Sequence, residues 1–80
     1  MKVGEAVAQR ILDLCQTRNI SINKLCTISG VTQSTINNIV SGRNASTTVA
    51  TVKKLCDGLE ITLGQFFSTP EFDELEQEIQ

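Results

Sequence analysis

Eighty residues, 40% of them apolar, suffice for one small domain with a modest core and leave no room for a catalytic cleft backed by a second layer. The net charge of −2 is unevenly spread: five of the nine acids (Glu71, Asp73, Glu74, Glu76, Glu78) follow Pro70, so residues 1–69 carry seven basic and four acidic side chains and a mildly basic balance of +3. Three Phe, no Trp or Tyr, and few Gly or Pro favour an aliphatic, all-α core over a β-sandwich.

No apolar run approaches the ~20 residues of a membrane span, and Met1-Lys2-Val3-Gly4-Glu5 lacks the apolar core of a signal peptide, so a cytoplasmic protein with no membrane partner is expected. Cys15, Cys26 and Cys56 are widely separated and the chain has no histidine, which excludes an ordinary zinc site and suggests reduced cysteines acting as small apolar residues. No nucleophile and base can be paired and no Gly-rich phosphate loop is present. The chain therefore reads as a non-enzyme with no cofactor, metal or small-molecule ligand.

In chain order, Val3, Val7, Ile11 and Leu14 recur at three- and four-residue steps and predict a helix from Val3 to Arg18, ended by Asn19. Ser21 is a good N-cap for a second helix carrying Leu25, Cys26 and Ile28, with Gly30 closing it. Thr32 caps a third helix anchored by Val31, Ile36 and Ile39 with Val40 beside them, and Gly42 to Ser46 form the loop that stops it. The Thr47-Thr48 pair offers a cap for a fourth helix with Val49, Val52, Leu55, Cys56 and Leu59 in a stripe. Thr62 and Gln65 have capping-box spacing for a fifth, short helix with Leu63, Phe66 and Phe67. Thr69-Pro70-Glu71 then opens a tail helix in which Phe72, Leu75 and Ile79 share a face. The expected division is residues 1–69 as one domain and 70–80 as an acidic amphipathic tail.

The second and third helices have the spacing of a helix-turn-helix: the small Cys26 where they cross, and Gly30 in a turn that needs positive φ. The outward face of the third helix then carries Gln33, Ser34, Asn37 and Asn38, amides and a hydroxyl of the kind that hydrogen-bond base edges in a major groove.

Arg10-Ile11, Leu25-Cys26 to Gly30-Val31-Thr32, Thr35-Ile36, Gly42, Thr51-Val52 and Phe66-Phe67 together resemble the XRE family of Cro and phage-repressor type helix-turn-helix regulators, over about Val3 to Phe67. The resemblance implies a five-helix, lambda-repressor-like domain whose third helix docks in the major groove. This chain departs from many relatives in having Cys15 in place of Arg, Ile22 in place of a phosphate-touching Gln, Thr47 in place of a loop proline, and Glu60 in place of the Gly after helix four.

The expected function is sequence-specific binding of double-stranded DNA by a small repressor. Gln33 and Asn38 can pair bidentately with adenine, and Ser34 and Asn37 can read neighbouring edges. Arg10, Lys24, Arg43, Asn44 and the helix starts at Ser21, Thr32 and Thr48 can hold phosphates. One copy reads too few base pairs for useful specificity, so a homodimer on a pseudo-palindromic operator is expected, with Leu63, Phe66, Phe67, Phe72, Leu75 and Ile79 as candidates for its face. The alternative is a protein-interaction module such as an antitoxin, an antirepressor or a regulatory subunit.

Overall fold

The computed structural model describes residues 2–41, 47–77 and 79. These form six helices: α1 (Val3–Arg18), α2 (Ile22–Ser29), α3 (Gln33–Val40), α4 (Val49–Leu59), α5 (Leu63–Phe67) and α6 (Pro70–Asp73).

Most of the boundaries are made by local chemistry. The Lys2 amide donates to the Glu5 carboxylate at the start of α1 (3.0 Å). Ser21, Thr32, Thr48 and Thr62 each accept the amide three residues on, at 3.0, 3.3, 3.1 and 3.0 Å, satisfying a donor that helix geometry would otherwise orphan. The Gln65 side chain returns the bond to the Thr62 amide (2.8 Å), which completes the capping box on α5.

Two helices end by the same device. Asn19 (φ 55°) donates to the Gln16 carbonyl while Ile20 donates back to Cys15. Glu60 (φ 59°) donates to Asp57 while Ile61 donates back to Cys56. Both are Schellman turns, and in both the following isoleucine is half-buried against the core. Asn tolerates the left-handed conformation; Glu does so at a cost.

The core is one cluster to which α1 to α5 all contribute. Ile11, Leu25, Ile36, Leu55, Leu59 and Phe66 are essentially inaccessible, each worth roughly 1.5–3 kcal/mol of apolar burial. α2 packs on α4, α1 on α3, α2 on α3, and α4 on α5, so the third helix is backed by the two before it.

Gly58 lets α2 and α4 close on each other. A Cβ there would lie 2.9 Å from the Ile28 carbonyl oxygen and 2.9 Å from the Ser29 Cα, closer than side-chain atoms approach backbone. A glycine inside an amphipathic helix is the sequence sign of such a contact.

Several expectations change. Val49 is 67% exposed, because it stands at the first position of α4 and the buried stripe begins at Val52. Val3 and Ile28 are also exposed. The tail helix is a single turn ending at Asp73, so Phe72, Leu75 and Ile79 do not share a helical face. Glu71 and Glu74 repel at a three-residue spacing, and further acids at the carboxyl end oppose the helix dipole. Phe66 is wholly buried in the core and cannot serve as a dimer contact; Phe67 stacks edge-on against it at 4.9 Å, and Phe72 against Phe67 at 4.9 Å. Leu63, Phe67, Phe72 and Leu75 are half-buried, and Ile79 is 85% exposed.

Candidate nucleic-acid interface

The third helix is oriented by burying one side. Ile36 and Ile39 lie inward with Val31 at the preceding turn, which forces Gln33, Ser34, Asn37 and Asn38 outward at helical spacing, and all four are exposed. At its start Thr32 takes the Thr35 amide, its hydroxyl lies 2.8 Å from that of Thr35, and the Ser34 hydroxyl stands 3.4 Å away. Among the described residues, the side-chain amides of Gln33, Asn37 and Asn38 have no hydrogen-bond partner, so their donors and acceptors stand open to a ligand.

The turn before it is closed by Gly30 (φ 73°), whose amide donates to the Cys26 carbonyl. Cys26 is half-buried against the core, and Ser29 ties the turn by donating to Leu25 (2.6 Å) and accepting from the Val31 amide (3.3 Å).

The helix starts are electrostatically sorted. α2, α3, α4 and the short α5 have no acid in their first turns, so the positive ends of their dipoles are not neutralised, and Lys24 is exposed in the first turn of α2. By contrast α1 carries Glu5 and α6 carries Glu71 and Asp73. Capping leaves the amides of the first two residues of α2 and α4 without intrahelical partners, which is the arrangement that accepts phosphate oxygens. The other expected phosphate contacts, Arg43 and Asn44, lie outside the described residues.

Arg10 is placed elsewhere. Its Nε donates to the Phe66 carbonyl (2.7 Å) and one terminal nitrogen donates to Gln65 (2.9 Å), while the guanidinium carbon sits 6.0 Å from the centre of the Phe66 ring. It thus caps the carboxyl end of α5 from α1. It also lines an open cavity of about 280 Å³ with Ala6, Gln9, Asp13, Thr69, Pro70 and Glu71, to which no residue of α2, α3 or α4 contributes. Sequence reasoning missed this cap because its partners lie 55 and 56 residues away.

Glu71 is held below the usual carboxylate range, first by its own backbone amide, then by the Thr69 hydroxyl, with the Arg10 charge adding to the effect. Burial pushes the Cys15 and Cys56 thiols up, Cys15 further through nearby Cys26, as small apolar residues in a core behave. Among the described residues no group of His, Cys, Asp and Glu could hold a metal, and no helix is long and apolar enough to cross a membrane.

A capped helix pair around a positive-φ glycine, with a polar second helix standing clear of a body built by the flanking helices, defines a helix-turn-helix domain. Residues 10–71 match the family of Cro/C1-type HTH DNA-binding domains, and the chain belongs to that family. It is a DNA-binding transcription regulator whose partner is double-stranded DNA. The crystal structure of the prophage Lp1 protein 11 is similar, with a TM-score of 0.81 and 36% identity over 94% of this chain and 100% of that one. No curated protein matches the chain.

Proposed function

We propose that this protein is a repressor that acts in the cytoplasm, binds a pseudo-palindromic operator as a homodimer, and performs no chemistry of its own. The observation that carries the reading is the outward face of α3, where three side-chain amides and a hydroxyl stand exposed on a helix whose opposite side is locked into the core. Gln33, Ser34, Asn37 and Asn38 read base edges. Ser21, Lys24, Thr32 and Thr48, with Arg43 and Asn44, place the domain on phosphates through helix-start amides and cations. Arg10, already engaged by two carbonyls, is left out of that set.

Dimerisation uses the half-buried and exposed apolar residues Leu63, Phe67, Phe72, Leu75 and Ile79, without Phe66. Similarity to a prophage protein is consistent with a phage-type switch. Titration with duplex DNA over a range of salt tests the reading. Log affinity should fall linearly with log salt, at about 0.9 per phosphate neutralised, whereas a module that binds only proteins would give no duplex complex at any salt concentration.

A further inference from the structure

We infer that each half-site read by α3 is centred on adenine, with two A·T pairs read by its carboxamides inside a window of about three base pairs. This rests on the reading of α3 as the base-reading helix and goes beyond it to the identity of the bases. The two helices of the helix-turn-helix, residues 22–40, contain one basic side chain, Lys24, and it stands in the first turn of α2 rather than on α3. The fork of an arginine or the ammonium of a lysine, which reads the O6 and N7 acceptors of guanine, is therefore missing from the face that meets the bases. That face offers carboxamides, whose oxygen accepts from adenine N6 and whose nitrogen donates to adenine N7. Their exposure and the lack of hydrogen bonds to the described residues leave both functions available.

The spacing sets the window. Gln33 and Asn38, the two amides placed for bidentate pairing with adenine, stand five residues apart on α3, or about 7.5 Å along the axis at ~1.5 Å per residue. With base pairs ~3.4 Å apart, that separation is roughly two steps. Ser34 stands beside the Thr32 cap hydroxyl (3.4 Å), and a hydroxyl that both donates and accepts contacts any base, so the amides carry the discrimination.

The full chain should be used to select from a random duplex pool, after which each selected adenine is replaced by 7-deazaadenine, which keeps N6 and loses N7. The expected half-site has two A·T pairs in three, and each replacement, which removes one of the contact's two hydrogen bonds, weakens binding by about 2- to 13-fold. In the Asn38→Ala variant, shown to be folded by its melting, one of the two replacements should lose its effect. A half-site whose invariant pairs are G·C, including one that relaxes in Arg43→Ala, would overturn the adenine assignment while leaving DNA recognition intact. So would replacements that change nothing. Failure to enrich any duplex, with no salt-dependent binding, would instead remove the underlying reading as well.

Discussion

Glu60 and Asn19 end their helices in nearly the same backbone conformation, with φ of 59° and 55°, but only Asn is suited to it. Glu60 also sets a negative charge beside the negative end of α4. Glycine relieves the strain, worth about 1 kcal/mol, and returns part of the gain by making the unfolded chain more flexible. Glu60→Gly should stabilise the fold by about 0.5–1 kcal/mol and raise the melting midpoint by a few degrees, with base preference unchanged. Differential scanning calorimetry at fixed protein concentration checks this, and an equal or lower midpoint would show that the left-handed turn carries no strain. The residues that set the two Schellman turns and the four hydroxyl caps were legible in the sequence because each acts on a partner within about five residues. The polar set on α3 was legible too, since periodicity alone separates it from Ile36 and Ile39.

Between elements, the decisive groups are Gly58 and Arg10, and neither announces its partner. Gly58→Ala adds helix propensity worth up to ~1 kcal/mol, but the new methyl meets the backbone of Ile28 and Ser29, which cannot rotate away as a side chain would. The expected net effect is a loss of about 1–2 kcal/mol in urea unfolding. A more stable variant would mean that α2 can slide on α4 without penalty. Arg10 joins α1 to the end of α5, a helix of five residues that cannot satisfy its own last carbonyls. Arg10→Ala should lower stability by about 1–2 kcal/mol, discounted from a buried charged hydrogen bond because the site is only part-buried. Arg10→Lys should recover little of it, since an ammonium cannot span both carbonyls as the guanidinium fork does. If lysine restored the full midpoint, charge rather than geometry would hold α5.

Over the whole molecule, acids are unevenly placed at the helix starts, although the α1 and α6 surface also carries the basic Lys2 and Arg10. The helix starts of α2, α3 and α4 are free of acids, whereas Asp13 and Glu71 share the surface of α1 and α6, and the exposed Lys2–Glu76 pair (3.5 Å) joins the two ends of the chain there. An exposed pair of this kind adds little stability. Removing residues 74–80 takes away Glu74, Glu76 and Glu78 but spares Phe72 and its ring contacts. Affinity for non-specific duplex at low salt should therefore rise, as anisotropy titration would show, and weaker binding at every salt concentration together with a monomeric sedimentation profile would make the tail an oligomer element instead.

The pH response belongs to the same scale. Glu71 has a folded-state pKa below its unfolded value, so its contribution to stability is fully present above the ordinary carboxylate range and is lost as pH falls through the lowered folded value. On going from pH 7 to pH 3 the parent should lose more of its melting midpoint than Glu71→Gln; equal losses would place the acid sensitivity on other carboxylates.

Sequence alone determined the positions of five helices, the capped starts of α2 to α5, the left-handed turns at Gly30 and Glu60, and the outward face of α3, because these follow from interactions within one or two turns of the chain. Only the tertiary structure decided that Phe66 is core, that Arg10 serves α5, that Gly58 is a contact point, and that the tail helix stops after one turn. Each of these depends on what another part of the chain brings alongside, across as many as 56 residues, and a local pattern of apolar and charged side chains carries no record of which face that neighbour will cover.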